Sequence, residues 1–256
     1  MKHILAVVSQ KGGVGKTTTA INVAAALARR GVKTLLVDMD PQGSVRFGVG
    51  LQGPYAGPGI ADYLTGTKGL ADIVRGTALP FLRVLLAGSV ADSGDHVAYQ
   101  ALVSDSTRLG ELLGRVRDRG YLVVVDTPPG LGPVVQRVLG VADRVLVPLQ
   151  CEPLALQTTS QMLKGIRTAV GEHANLKLEG IVLTMFEEQN ALSQRIAEYV
   201  RRQLPADLVF DVIIPRTAAT VEAFAAGQPV VVRTPDDPAS VAYGALADVL
   251  RARLVP

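Results

Sequence analysis

Apolar residues along the chain fall into two alternating patterns: short continuous runs, and longer stretches with a three-to-four-residue repeat. The runs at 3–8, 33–37, 81–87, 121–125, 144–149, 178–185 and 209–214 are rich in Val, Ile and Leu and have the length of buried strands. Between them, 16–30, 104–119, 158–170, 192–204, 221–226 and 239–253 read as helices, with shorter ones at 60–64 and 70–75. The clearest is 104–119. Ser104 stands where a cap is wanted, and Leu109, Leu112, Leu113 and Val116 share one face. Gly31 follows the first helix at a place suited to a left-handed stop. Residues 43–60 are rich in Gly and Pro and read as a surface loop. Strands and helices that alternate without a long polar linker predict one α/β domain over 1–256. The expected architecture is a doubly wound, mostly parallel sheet with helices on both faces and a right-handed first crossover.

Composition narrows the setting. Hydrophobic residues make up 48% of the 256, ample for one large core. The formal charge is only +3, but residues 1–150 carry 16 Lys and Arg against 11 Asp and Glu, while 151–256 carry 10 against 12. No Lys/Arg block reads as a nucleic-acid tail, so any DNA contact has to come from a folded patch, assembled across two copies. Cys151 stands alone and cannot close an internal disulfide, which points to a reducing cytoplasm. The first strand begins at once, leaving no room for a signal peptide. No run approaches the roughly 20 apolar residues that span a bilayer.

Three strand ends carry chemistry. After the first strand comes Ser9-Gln10-Lys11-Gly12-Gly13-Val14-Gly15-Lys16-Thr17-Thr18-Thr19, opening a helix. Glycines between strand and helix let backbone N–H groups surround phosphate oxygens at a positive helix end. Lys16 is placed to reach β- and γ-phosphates, and the Thr17 hydroxyl to ligate Mg²⁺. The usual pattern has a glycine where this chain has Gln10, and Lys11 is an added cation. The second strand ends in Asp38-Met39-Asp40-Pro41-Gln42-Gly43, which sets carboxylates beside a phosphate crevice. A third run, Val123-Val124-Val125-Asp126 followed by Thr127-Pro128-Pro129-Gly130, is a buried strand ending in a carboxylate suited to water-mediated Mg²⁺ binding. No Asn-Lys-x-Asp sequence for reading guanine is present, which favours ATP.

These residues resemble the deviant Walker A ATPases of the ParA/MinD group, and among them the shorter, chromosomal ParA type. The resemblance covers almost the whole chain. It includes Pro148-Leu149-Gln150-Cys151-Glu152, Leu183-Thr184-Met185, Ile214-Pro215-Arg216, Glu222-Ala223, Gly227-Gln228-Pro229-Val230 and Ala242-Tyr243. It implies that Gly12, Gly13, Val14, Gly15, Lys16, Thr17 and Thr18 hold nucleotide. It also implies that Lys11 crosses a homodimer interface to the partner's ATP, which would make nucleotide binding and dimerisation one linked equilibrium. Asp40 is implied to orient or activate the attacking water, Asp38 to support the Mg²⁺ shell or the loop, and Met185 and Pro215 to flank adenine. The implied partners are nonspecific DNA and a ParB-like protein that stimulates hydrolysis.

The chain departs from the group where DNA-binding basic residues often stand. Phe186-Glu187-Glu188-Gln189-Asn190 follows Met185, and Thr217-Ala218-Ala219-Thr220 follows Arg216. Lys164, Arg167, Arg195, Arg201, Arg202 and Arg233 remain as candidate phosphate contacts. Related classes fit less well. A MinD-type membrane regulator ends in a basic amphipathic helix, whereas this chain ends Asp248-Val249-Leu250-Arg251-Ala252-Arg253-Leu254-Val255-Pro256, without an aromatic or a lysine cluster. An iron protein sharing a [4Fe–4S] cluster needs four thiolates, and two copies supply two. Against a metabolic ligase stand the Asp-Pro-Gln and Ile-Pro-Arg stretches. A positioning ATPase for a protein cargo remains an alternative to DNA segregation.

Overall fold

The computed structural model describes residues 3–51, 57–88, 96–153, 164, 165, 167, 168, 171 and 175–255. Eight strands form one sheet: β1 (Ile4–Val7), β2 (Thr34–Asp38), β3 (Val74–Gly76), β4 (Leu82–Leu85), β5 (Leu122–Asp126), β6 (Arg144–Gln150), β7 (Lys177–Phe186) and β8 (Val209–Pro215). Their order is β3-β4-β2-β5-β1-β6-β7-β8. All neighbours are parallel except β3, which pairs antiparallel with β4 at the edge.

Alternation along the strands builds two cores. Ile4, Ala6, Leu35, Val37, Val123 and Val125 face one layer, and Leu5, Val7, Leu36, Val124 and Leu146 face the other. The first face is covered by α3 (Ile60–Leu64), α5 (His96–Asp105), α6 (Arg108–Asp118), α7 (Pro133–Leu139) and α8 (Ala191–Gln203). The second is covered by the alanine-rich α1 (Lys16–Arg29) and by α11 (Pro238–Leu254), which pack on each other. Short helices α2 (Val45–Gly48), α4 (Leu70–Ile73), α9 (Ala218–Ala225) and α10 (Val230–Arg233), with a 3₁₀ turn at Ala206–Leu208, complete the described elements.

The structure corrects the expected elements in places. The helix expected over 104–119 is two. Ser104 lies inside α5 and donates to Gln100 O at 2.7 Å, while the Ser106 hydroxyl accepts from Arg108 N at 3.1 Å and opens α6. A side chain that satisfies a backbone donor in this way competes with continuing the helix. The expected face survives the break, for Leu109, Leu112, Leu113 and Val116 are all buried. The helix over 70–75 stops at Ile73 because Val74 and Arg75 pair with Val84 and Leu85 as an edge strand. Within 43–60 the chain makes α2, and α7 forms where no helix was expected, with Pro133 in its first turn. The helix expected over 158–170 lies outside the described residues except for 164, 165, 167 and 168. Among the described residues no helix is long and apolar enough to cross a membrane.

Candidate active site

β1 lies at the centre, with β5 on one side and β6 on the other. The chain therefore reverses its winding direction about β1, and the crevice at the strands' carboxyl ends is where open parallel sheets hold ligands. The glycine loop leaves β1 at this crevice. Gly13 and Gly15 have φ of +80° and +83°, the left-handed region that a side chain resists. Gly15 stands directly before α1, whose first turn carries no acidic residue, leaving its N–H groups and their positive potential free for an anion. The Thr184 hydroxyl donates to Val14 O at 2.8 Å and pins the loop to β7.

Strand pairing gathers the carboxylates. Asp38 lies opposite Asp126 in the β2–β5 register, and Asp126 lies opposite Val7 at the end of β1. Asp126 is fully buried and accepts from the Thr17 hydroxyl at 2.7 Å. Lys16, 7% exposed, holds its ammonium 3.4 Å from the other Asp126 oxygen. Burial raises the Asp126 pKa, against the lowering influence of Lys16 and Thr17. Asp38 is raised further, first by burial and then by the charges of Asp126 and Asp40. Its two oxygens accept from Asp40 N and Val45 N, both at 3.1 Å, so its carboxylate organises the turn into α2. Asp40 accepts from Gln42 N at 3.0 Å and borders the phosphate-side groove. The Thr127 hydroxyl donates to Val7 O and Gly130 N to Ser9 O, both at 2.9 Å, fastening the turn after β5 onto β1.

Two cavities meet over Gly15, Thr17, Thr18, Ser44 and Met185. One, of about 340 Å³, is lined by Gly12, Gly13, Lys16, Asp40, Gln42 and Pro129. The other, of about 470 Å³ and mostly apolar, is lined by Thr184, Ile214, Pro215, Thr220, Phe224 and Tyr243 among others. A polar end under a helix N-terminus joined to an apolar end has the chemistry of a nucleotide, phosphates at one end and base at the other. Met185 joins the two and carries φ of +52°, the one positive φ outside glycine among the described residues. Strained backbone of this kind tends to gather at functional sites.

The oxygens of Thr17 and Asp126 fit magnesium, a hard cation that binds few protein oxygens and keeps phosphate and water as its other ligands. Among the described residues no cluster of three or more His, Cys, Asp or Glu stands together as a metal cage. Lys11 lies apart from Lys16. Its side chain is 39% exposed and forms an ion pair with Glu152, just beyond β6. Sequence reasoning assigned Glu152 no role, nor Ser44, Phe224 and Tyr243 a place at the site. They come from separate segments that only folding brings together. Lys164, Arg167, Arg195, Arg201, Arg202 and Arg233 are all exposed. Arg201 donates to Asp211 O at 2.9 Å and Arg202 pairs with Glu198 at 3.1 Å, so α8 presents fewer free cations than its composition suggests.

Comparison with known proteins decides the family. A family model described as an AAA domain matches residues 2–179. The chromosome partitioning protein ParA of Caulobacter vibrioides is 38% identical over 248 residues, covering 96% of this chain and 92% of that protein. The chain belongs to the ParA-type P-loop ATPases. Another ParA-type relative, the sporulation initiation inhibitor protein Soj of Bacillus subtilis, is 34% identical over 249 residues, with 96% and 97% coverage. Among solved structures, the cell division ATPase MinD of Pyrococcus furiosus superposes with a TM-score of 0.81 at 25% identity, covering 99% of this chain and 100% of that one. A cobyrinic acid a,c-diamide synthase of Mycobacterium smegmatis, with bound ATP analog and magnesium, superposes with a TM-score of 0.79 at 29% identity, covering 99% and 96%. The ParA-type fold is thus shared across proteins whose names describe different tasks, and the task of this chain has to be argued from its site.

Proposed function

We propose that this protein is an ATP-driven dimerising switch of the ParA type, built as a single ATPase domain over residues 1–256. It cycles in the cytoplasm, binds nonspecific DNA as the ATP dimer, and acts in chromosome or plasmid segregation. A ParB-like partner stimulates its hydrolysis. The observation that carries this reading is the division of labour between two lysines of one loop. Lys16 is buried against Asp126, where it serves the chain's own nucleotide, whereas Lys11 stands apart in a partly exposed pair with Glu152, which the phosphates of a second copy would have to displace. A cation that completes a site only from another molecule ties nucleotide occupancy to association.

The chain's own residues divide the work. Backbone N–H groups from Gly12 to Thr18 and the Lys16 ammonium bind the phosphates, Thr17 and Asp126 hold magnesium, and Met185 and Pro215 flank the base. Magnesium supplies charge neutralisation at the phosphates when bound. Asp40, at the groove, orients the attacking water. Asp38 keeps its oxygens on the backbone of Asp40 and Val45 and so sets where Asp40 stands. The helix α11 is part of the core, with Leu246, Leu250 and Leu254 fully buried. Bare DNA affinity rests on the exposed α8 arginines together with Lys164, Arg167 and Arg233, doubled in a dimer. With few phosphate contacts its salt dependence is shallow.

Size-exclusion chromatography of the Asp40→Ala variant with and without ATP·Mg²⁺, repeated with added DNA, tests this reading. The expected result is a monomer that becomes a dimer with ATP and then co-elutes with DNA at low salt. A chain that stays monomeric at saturating ATP rejects the switch. A dimer that ignores DNA rejects the carrier role and favours a protein cargo.

A further inference from the structure

Phe224 belongs to two parts of the site at once. It lines the apolar cavity together with Ser44, Met185 and Pro215. Its ring also presses on α2, the short helix that follows the turn carrying Asp38 and Asp40. A Cβ built on Gly48 of α2 would stand 2.9 Å from two carbons of the Phe224 ring and 2.6 Å from Cδ1 of Ile21 in α1. Carbon atoms that are not bonded pack no closer than about 3.5 Å at their best separation. Two residues on, a Cβ built on Gly50 would stand 2.9 Å from Gly227 O, just past the end of α9. α2 and α9 therefore touch at the helix and again at its exit, and only the missing side chains of Gly48 and Gly50 let them come so near.

α2 is tied to the carboxylates just as directly. Val45 N, in its first turn, donates to one oxygen of Asp38 at 3.1 Å, and the other oxygen accepts from Asp40 N at 3.1 Å. Ser44, immediately before α2, lines both cavities. The base end and Asp40 are thus joined by a short run of contacts: Phe224 to Gly48, one helical turn to Val45, and one carboxylate to Asp40. We infer that Phe224 is a positioning residue that links occupancy of the apolar cavity to Asp40. A base seated against the ring holds α2 in place, and α2 holds the turn on which Asp40 stands. The inference rests on the readings of Asp40 as the water-orienting residue and of the apolar cavity as the seat of the base. Binding free energy from a remote part of the substrate then sets the geometry at the reacting phosphate, and it shows in kcat. A ring that is merely a cavity wall contributes equally to ground and transition states and shows in KM alone.

The test has a kinetic arm and a spectroscopic one. In steady-state ATP hydrolysis, Phe224→Leu should lower kcat about ten-fold while KM stays within about three-fold of the parent. Gly48→Ala, which pushes the ring and α2 apart, should lower kcat by a similar factor. The double variant should be no slower than either alone, because leucine leaves room for the added methyl and the two positions act through one contact. For the second arm, the chain contains no tryptophan, and Phe47 of α2 is 42% exposed, so Phe47→Trp places a sole fluorophore on α2. Saturating ADP·Mg²⁺ should shift its emission, and saturating Mg²⁺ pyrophosphate, which lacks the base, should give less than about a third of that shift. Adding Phe224→Leu should reduce the ADP response to the pyrophosphate level, with calorimetry showing ADP still bound. A change in KM alone, an ADP response that survives Phe224→Leu at saturation, or an equal response to pyrophosphate overturns the inference. Full hydrolysis by Asp40→Ala removes the reading of Asp40 and the kinetic arm with it, while the fluorescence arm still decides whether the base reaches α2 through Phe224.

Discussion

Lys16→Ala tests the electrostatics of the site independently of nucleotide. The Lys16 ammonium lies 3.4 Å from Asp126, with side chains 8% and 0% exposed. At that distance two unit charges attract by about 5 kcal/mol in an effective dielectric of ~20. Removing the cation leaves a buried carboxylate with Asp38 beside it in the sheet register. Breaking a buried pair in this way is destabilising by about 3–5 kcal/mol. Thr17 still donates to Asp126, so the lower end, about 3 kcal/mol, is expected at pH 8. For a chain of this size that is a fall of about 6–12 °C in Tm. The pH dependence has a definite sign. Burial already raises the Asp126 pKa against the opposing pull of Lys16, and without Lys16 it rises further. A carboxyl whose folded pKa exceeds its unfolded one binds protons more readily in the native state, so stability is lost as pH rises between the two. The gap between parent and variant is therefore widest on the alkaline side and narrows as pH falls through the raised pKa, where a protonated Asp126 needs no counter-charge. Thermal melts at pH 8, 6.5 and 5 without nucleotide read this directly, and Lys16→Ala/Asp126→Asn should recover most of the loss. A gap that ignores pH, or no recovery with asparagine, refutes the account.

Further expectations follow from single contacts. Gly15→Ala forces a side chain into φ of +83° and should lower stability by about 1–2 kcal/mol, with a larger loss of ATP affinity in a nucleotide titration because the loop N–H groups move. Thr184→Val removes the donor to Val14 O and should destabilise by about 1–3 kcal/mol in chemical denaturation, whereas Thr184→Ser should retain most of the bond. Glu152→Gln weakens a pair that is partly exposed, so melting should move by less than about 1 kcal/mol. Lys11, no longer held within its own chain, should then support ATP-dependent dimers at lower nucleotide concentration, and a dimerisation curve identical to the parent's would show that Glu152 exerts no such restraint. Leu113→Ala, at a fully buried position of α6, should lose about 2–5 kcal/mol.

The strands, the glycine loop and the first helix could be read directly from the residues because the rules behind them span only a few positions. Period-two and period-3.6 burial, the left-handed φ at Gly13 and Gly15, and a strand ending in Asp are local facts. The single-helix reading of 104–119 failed on an equally local contest, in which the Ser106 hydroxyl took the Arg108 N–H and broke the helix before the Thr107 N-cap. Other features had no local signature. Asp38 and Asp126 face each other only because β2 and β5 pair in register, and the edge strand β3 exists only because β4 offers it a partner. The pairing of Lys11 with Glu152 and the meeting of Met185 with Gly15 join residues remote in sequence. Backbone propensity and burial period are properties of a segment. Strand order, register and the charge surrounding a buried carboxylate are properties of contacts between segments, and these exist only once the sheet has closed.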